Sequence, residues 1–145
     1  MQGPVRINDQ ISVAGQVAPG DVAALKSQGF ETIINNRPDN EEPGQPAAAA
    51  VKAETDKQGM AYLYQPVTTS AISKSDVTTF HNALMRSSKP VLAHCRSGTR
   101  CYLLWGLSQV MFENASPLAV VAEAARNGYD LRSLPALADK LQAEK

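Results

Sequence analysis

Residues 90–101 of this chain read Pro90-Val91-Leu92-Ala93-His94-Cys95-Arg96-Ser97-Gly98-Thr99-Arg100-Cys101. The apolar run at 91–93 predicts a short buried strand, and the polar, glycine-containing segment 94–99 predicts a tight loop. We expect a helix to open at Arg100 or Cys101. Because loop N–H groups converge at a helix N-terminus and the helix dipole favours negative charge there, the segment predicts an anion-binding site.

The cysteine at the start of this loop is the candidate nucleophile. A helix N-terminus lowers the pKa of a nearby thiol, and the thiolate is the nucleophilic form. Arg96 and Arg100 add positive charge, and an arginine can hold an oxyanion with two parallel hydrogen bonds. A cysteine after a strand is often only a small buried side chain. The combination of cysteine, glycine and two arginines within residues 95–100 nevertheless favours covalent catalysis by Cys95.

The composition is typical of one cytoplasmic domain. The 145 residues are enough for a core without disulfides. Basic and acidic residues number 14 each, so the charge suggests neither nucleic acid nor a membrane surface as a partner. Two cysteines fit a reducing compartment, and we find neither a signal peptide nor an apolar run of about 20 residues. The sequence does not indicate the oligomeric state.

Predicted strands and helices alternate along the chain. Strands are predicted at 5–13 (an edge strand or a hairpin turning at Asn8-Asp9), 30–35, 60–67 and 90–94. Helices are predicted at 21–28, at 47–57, from a cap at Ser75 or Asp76, and in two tail segments that start near Pro117 and Ser133. This order predicts an α/β fold with a central, mostly parallel sheet of four to five strands flanked by helices.

A second polar loop, residues 36–46, follows the predicted strand at 30–35. Its prolines, glycine and acidic residues exclude a helix or strand. It leaves the carboxyl end of a strand, where α/β folds place ligand-binding groups. We expect Arg37 either to line the pocket or to pair with Asp39 or Glu42.

The chain resembles the cysteine-based protein tyrosine and dual-specificity phosphatase superfamily, and in particular the small bacterial phosphatase-like domain that also occurs fused to β-lactamase-type hydrolases. The resemblance spans about residues 5–130 and is carried by the segments 32–39, 42–46 and 94–100. It implies one phosphatase-like domain over 1–145, a dual-specificity-phosphatase-like fold, and no cofactor. It also implies that Cys95 is the nucleophile, that loop amides hold an oxyanion and that Arg100 clamps it.

Two features depart from the phosphatase pattern. Phosphatases of this kind place five residues between the nucleophile and the arginine, whereas four residues, 96–99, stand there in this chain. A loop of this shorter length is typical of rhodanese-type sulfurtransferases. The dual-specificity enzymes also carry an aspartic acid as proton donor after the third strand, where this chain has Pro66-Val67-Thr68-Thr69.

The loop 36–46 offers three substitute proton donors. Loss of a general acid slows phosphoryl transfer by roughly 10²–10⁴-fold, so a working phosphatase needs Asp39, Glu41 or Glu42 in that role. We take Asp39 as the first candidate. Solvated turn residues are the ordinary alternative for all three carboxylates.

The other loop residues are expected to bind the anion or support Cys95. His94 either orients and helps to ionise the thiol or hydrogen-bonds the loop backbone. The anion-binding set is completed by Arg96, Ser97, Gly98 and Thr99, although Thr99 is also a candidate helix cap. Cys101 steadies the thiolate, resolves an oxidised form, or only packs. No metal is expected, because the two cysteines and two histidines lack the spacing of a ligand set.

Three functions are compatible with these residues. The favoured one is a phosphatase-like hydrolase that acts on phosphomonoesters through a covalent Cys95 intermediate. The first alternative is a rhodanese-type sulfurtransferase that forms a persulfide on Cys95 from a sulfane-sulfur donor. The second is a non-catalytic module that binds small anions. In each case the expected partner is a small anionic molecule.

Overall fold

A computed structural model describes residues 1–144. Its strands are β1 (Val5–Arg6), β2 (Ile11–Ala14), β3 (Thr32–Asn35), β4 (Ala61–Tyr64) and β5 (Val91–His94). Its helices are α1 (Val22–Ser27), α2 (Ala48–Gln58), α3 (Lys74–Arg86), α4 (Thr99–Phe112), α5 (Pro117–Arg126) and α6 (Leu134–Ala143). Within this range, no helix is long and apolar enough to cross a membrane.

The sheet has the strand order β1-β2-β5-β3-β4. Strand β1 is antiparallel to β2, and the remaining neighbours are parallel. The predicted α/β fold with a mostly parallel sheet is therefore confirmed. Because β5 lies between β2 and β3, the loop after β5 emerges at the middle of the carboxyl edge, beside the loops that follow those two strands.

Local side-chain chemistry accounts for the first hairpin. The Asn8 side-chain oxygen accepts hydrogen bonds from the backbone N–H groups of Gln10 at 2.8 Å and Ile11 at 3.1 Å. This arrangement closes a turn that asparagine commonly forms. The hairpin predicted at 5–13 is confirmed, with β1 and β2 as its arms.

The start of α3 corrects the prediction of Ser75 as a cap. Ser73 is the N-cap: its hydroxyl accepts a hydrogen bond from the Asp76 N–H at 3.1 Å, and the Asp76 carboxylate accepts one from the Ser73 N–H at 2.9 Å. This reciprocal pair is a capping box. Ser75 lies two residues after the cap, inside the first turn of α3, whereas Asp76 takes part as predicted.

Helices cover both faces of the sheet, and β5 shows how the strand serves both. Leu92 packs on the side of α1 and α2, with Val22, Leu25 and Val51. Its neighbours Val91 and Ala93 point to the opposite side, where α3, α4, α5 and α6 pack. This alternation follows from the two-residue period of a strand. Burial of β5 on both faces fixes the position of the loop that follows it.

Candidate active site

The loop between β5 and α4 is held by backbone contacts and by one glycine. The Cys95 N–H donates to the Ala14 carbonyl of β2 at 3.3 Å. Gly98 is the N-cap of α4 and has φ of 98°, a conformation that favours glycine. A Cβ atom at Gly98 would lie 2.8 Å from the Tyr129 hydroxyl oxygen. The glycine is therefore required for both the turn and the close approach of Tyr129.

The thiol of Cys95 is surrounded by hydrogen-bond donors. Its Sγ accepts a hydrogen bond from the Gly98 N–H at 3.1 Å, and the residue is 1% exposed. The pKa of Cys95 is lowered to about 5, first by a hydrogen bond from the Cys101 thiol and then by the backbone N–H groups of Cys101, Ser97 and Gly98, against the opposing effect of burial. At neutral pH the side chain is a thiolate.

Cys101, in the first turn of α4, is fully buried against this thiolate. Burial, together with the neighbouring negative charge on Cys95, raises the pKa of Cys101 well above its ordinary value. It therefore remains a protonated thiol and a donor. Of the three expectations for Cys101, this geometry favours the one in which it steadies the thiolate.

Arg100 lies beside Cys95, on the first turn of α4. Its guanidinium donates from Nη1 to the Val67 carbonyl at 3.0 Å, and from Nη1 and Nη2 to the two carboxylate oxygens of Glu41 at 2.8 Å each. These bonds to Glu41 raise the pKa of Arg100, and the Cys95 thiolate adds to the effect. The Arg100 side chain is 13% exposed.

The other polar groups of the loop face different partners. The Arg96 side chain is 70% exposed, and its nearest acidic partner is Glu42 at 3.7 Å. The hydroxyl oxygens of Ser97 and Thr99 lie 3.1 Å apart and hydrogen-bond each other. Thr99 is the first residue of α4, so the cap is Gly98 and not Thr99. Arg100 and Arg96 therefore differ clearly in how far their positions are fixed.

The loop 36–46 lies against this site through a buried arginine. Arg37 is 2% exposed and donates to Glu41 from Nε, to Glu42 from Nη2 and to Gln16 from Nη1, each at 2.9 Å. The pairing of Arg37 with Glu42 was expected, whereas that with Asp39 does not occur. The bridge from Arg37 through Glu41 to Arg100 was not predicted, and no local pattern signals it.

The three candidate proton donors are engaged as acceptors. The Asp39 carboxylate accepts a hydrogen bond from the Ala48 N–H at 2.9 Å and so caps the start of α2. The pKa of Glu41 is lowered to about 2, first by its hydrogen bond with Arg100. The pKa of Glu42 is also lowered, first by Arg37. The arginine contacts therefore keep Glu41 and Glu42 from the protonated state that a general acid needs at neutral pH, and the Asp39 carboxylate is occupied at the start of α2.

His94 is fully buried at the end of β5. Neither ring nitrogen makes a hydrogen bond to another described residue. Burial is the main reason that the pKa of His94 falls to about 4, so the ring is neutral near pH 7. Among residues 1–144, no group of three or more His, Cys, Asp or Glu side chains is placed to hold a metal ion.

Comparison with solved structures defines the class of protein. A candidate phosphatase from Neisseria meningitidis has a TM-score of 0.83 and 33% identity, with 95% of this chain and 97% of that chain covered. The fold is also that of Tk-PTP (TM-score 0.73, 18% identity, 93% and 92% covered). A kinase-associated phosphatase with its catalytic-site cysteine replaced by serine has a TM-score of 0.74 and 14% identity, with 93% of this chain and 89% of that chain covered. The chain therefore has the fold of the protein tyrosine and dual-specificity phosphatases.

The family follows from the sequence comparisons. The profile of the phosphatase-like domain of beta-lactamase hydrolase-like proteins matches residues 5–112, and the chain belongs to this family. The beta-lactamase hydrolase-like protein of Agrobacterium fabrum is 36% identical over 127 residues, and that of Xylella fastidiosa is 35% identical. The match covers 88% of this chain but 30% of the length of each relative. The resemblance seen in the sequence is confirmed.

Proposed function

We propose that this phosphatase-like domain, over residues 1–145, is a cysteine-dependent hydrolase of phosphomonoesters in which Cys95 forms a covalent intermediate. The observation that carries the proposal is the Cys95 sulfur, which has a pKa of about 5 and accepts the Gly98 N–H at 3.1 Å. Arg100 lies beside it as a fixed cation. A kinase-associated phosphatase with this fold is known to have a catalytic-site cysteine, which supports the same role here.

The reaction proceeds in two steps at one sulfur atom. The Cys95 thiolate attacks the phosphorus atom, the P–O ester bond breaks, and the leaving oxygen takes the bonding electron pair. Loop N–H groups and Arg100 stabilise the charge on the transferred group. Water then attacks the phosphocysteine, the P–S bond breaks, and inorganic phosphate leaves with the thiolate restored.

The engaged carboxylates restrict the leaving group. Asp39 caps α2, and Glu41 and Glu42 are ionised partners of arginines. A leaving oxygen that cannot be protonated must be a good leaving group by itself. We therefore expect aryl phosphates to be hydrolysed much faster than alkyl phosphates. We also expect Asp39→Asn and Glu42→Gln each to change the rates of aryl and alkyl phosphate hydrolysis by the same factor, because neither carboxylate donates a proton to the leaving group.

A second candidate, sulfur transfer, is favoured by the same absence of an acid and by the four-residue spacing between Cys95 and Arg100. The thiolate would attack the outer sulfur of thiosulfate, the S–S bond would break, and sulfite would leave without needing a proton. A thiophilic acceptor such as cyanide would then take the outer sulfur as thiocyanate and restore the thiolate. A small persulfide suits a cysteine residue that is 1% exposed.

One pair of assays separates these functions. Wild-type protein and Cys95→Ser are given p-nitrophenyl phosphate in one assay, and thiosulfate with cyanide in the other. Phosphate release that exceeds thiocyanate formation and is lost in Cys95→Ser supports the proposal. Faster thiocyanate formation supports the sulfurtransferase. If neither product forms, the domain is a module that only binds anions. Substantial activity in Cys95→Ser would refute covalent catalysis by this residue.

The cytoplasmic location stays a prediction.

A further inference from the structure

The hydroxyl group of Tyr129 reaches the loop that carries Cys95. Tyr129 belongs to the connection between α5 and α6, and its hydroxyl donates a hydrogen bond to the Ser97 carbonyl at 3.4 Å. The backbone N–H of Tyr129 donates to the Ala124 carbonyl at 2.8 Å, and its ring packs on that of Tyr102 with the ring centroids 5.1 Å apart. Burial, followed by the negative charge on Cys95, raises the pKa of Tyr129. The hydroxyl therefore keeps its proton and remains a donor.

The peptide group between Ser97 and Gly98 is contacted at both of its ends. Its N–H, from Gly98, donates to the Cys95 sulfur at 3.1 Å, and its carbonyl, from Ser97, accepts the Tyr129 hydroxyl. This peptide bond is trans and planar, so the C=O and the N–H point in opposite directions. The two hydrogen bonds therefore hold one rigid group from opposite sides.

The glycine explains why this peptide group benefits from a second contact. Gly98 has φ of 98°, and a glycine permits a wider range of backbone angles than any other residue. If the peptide rotated, its carbonyl oxygen would turn towards the thiolate, and repulsion would replace the hydrogen bond. A Cβ atom at Gly98 would lie 2.8 Å from the Tyr129 hydroxyl oxygen. The residue that loosens the peptide thus also leaves room for the hydroxyl that holds it.

We infer that Tyr129 is a positioning residue, whose hydroxyl orients the Ser97–Gly98 peptide so that the Gly98 N–H faces the Cys95 sulfur. The inference rests on the proposed function, because it takes the Cys95 thiolate as the nucleophile. Tyr129 acts through the peptide group and is assigned no contact with the substrate. If its ring only packed against its neighbours, loss of the hydroxyl would not affect Cys95.

The experiment compares Tyr129→Phe with Tyr102→Phe. Each variant removes one hydroxyl from a pair of tyrosine rings that pack on each other, and each keeps the ring. The Tyr102 hydroxyl, however, accepts a hydrogen bond from Asn127 at 3.0 Å and serves as the matched control. The readout is the pH midpoint for alkylation of Cys95 by iodoacetamide, quantified by mass spectrometry.

The two cysteines are measured separately. Trypsin cleaves after Arg96 and Arg100, so Cys95 and Cys101 fall in different peptides. Arg100 and Cys101 also act on the charge of the Cys95 sulfur, and both are unchanged in the two variants. A difference between the variants therefore reports the loop and its contact with Tyr129.

We expect the midpoint to rise by about half a pH unit or more in Tyr129→Phe and to stay within about 0.2 pH unit of the wild type in Tyr102→Phe. The reason is that a poorly oriented N–H stabilises the thiolate less. Amide hydrogen exchange at Gly98, followed by NMR, is a second measurement. It should be faster in Tyr129→Phe than in the wild type and unchanged in Tyr102→Phe.

Two results would overturn the role of Tyr129. One is a midpoint and a Gly98 exchange rate in Tyr129→Phe that equal those of the wild type. The other is an equal rise in both variants, because disturbed packing of the two rings would then explain it. Far-UV circular dichroism checks that each variant is folded. Absence of phosphate release by the wild type would refute the proposed function, whereas the alkylation midpoints would still decide whether Tyr129 orients the loop.

Discussion

At the scale of single residues, Cys95 shows how neutral donors lower the pKa of a thiol. The largest cause of its pKa of about 5 is a hydrogen bond from the Cys101 thiol, ahead of the backbone N–H groups of Ser97 and Gly98. Such bonds stabilise the thiolate more than the neutral thiol. The sequence indicated an electropositive loop, whereas the structure adds a buried donor, Cys101, in the first turn of α4.

This arrangement predicts the pH dependence of Cys95 reactivity. The pKa lies below the usual thiol value, so thiolate is present above about pH 5 and is lost as the pH falls through that value. Alkylation by iodoacetamide should follow this midpoint in the wild type. Cys101→Ala removes the donor and should raise the midpoint, while Cys101→Ser retains a donor and should raise it less. An unchanged midpoint in Cys101→Ala would contradict the assignment.

The two arginines of the loop should differ in importance. Arg100 is 13% exposed and held by Glu41 and a carbonyl group, whereas the Arg96 side chain is 70% exposed. Arg100→Lys keeps the charge but loses the planar guanidinium that can hold an oxyanion with two parallel hydrogen bonds, so kcat/KM should fall by about 10²-fold. Arg96→Ala should change kcat/KM only a few-fold. A larger loss in Arg96→Ala than in Arg100→Lys would reverse the roles.

At the scale of elements, α4 connects the site to the helical layer. The helix is buried along most of its length, and α5 and α6 pack closely on it at Gly106. A Cβ atom there would lie 2.5 Å from a methyl carbon of Leu134 and 2.9 Å from one of Val120. The glycine therefore sets how closely these helices approach the helix that carries Arg100.

We expect Gly106→Ala to destabilise the protein. Alanine is normally the better helix former, but overpacking of a tight interface costs about 1–3 kcal/mol. Urea unfolding monitored by circular dichroism measures the change. Gly20→Ala is the matched control, because a Cβ atom at Gly20 would meet nothing within 4 Å. That variant should be neutral or slightly stabilised, and a stabilised Gly106→Ala would contradict the packing argument.

At the scale of the whole molecule, groups whose pKa values shift on folding make stability depend on pH, and Glu41 and His94 are two that act at acidic pH alone. Glu41 has its pKa lowered from 4.5 to about 2, and His94 has its pKa lowered from 6.5 to about 4. In both cases the unfolded chain binds a proton more readily than the folded one. The stability that each group contributes is therefore fully present above its ordinary pKa, and it is lost as the pH falls towards the lowered pKa of the folded protein.

The free energy of unfolding should consequently fall between about pH 6.5 and 4 because of His94, and between about pH 4.5 and 2 because of Glu41. Urea unfolding of wild type and Glu41→Gln across this range separates the two contributions. The difference between the two proteins should be largest near neutral pH and should shrink below about pH 4.5. A difference that does not change with pH would contradict the Glu41 assignment.

The amino-acid sequence by itself determined the parts that depend on local patterns. The Asn8 turn, the strand–loop–helix unit around Cys95 and the alternation of strands with helices each arise from neighbouring residues. The mostly parallel sheet follows from that alternation. The Ser73 cap was also local, since its partner Asp76 is three residues away, and it was misread as Ser75.

Only the tertiary structure decided the partner of Arg100. Glu41 is 59 residues away in sequence, and the two meet because β3 and β5 are neighbours whose carboxyl ends share one edge of the sheet. The role of Asp39 was decided in the same way, since its carboxylate is used by the start of α2. Strand and helix periodicities report which face of an element is buried, but not which charged groups meet between distant loops. Those pairings depend on strand order and therefore appear only once the chain is folded.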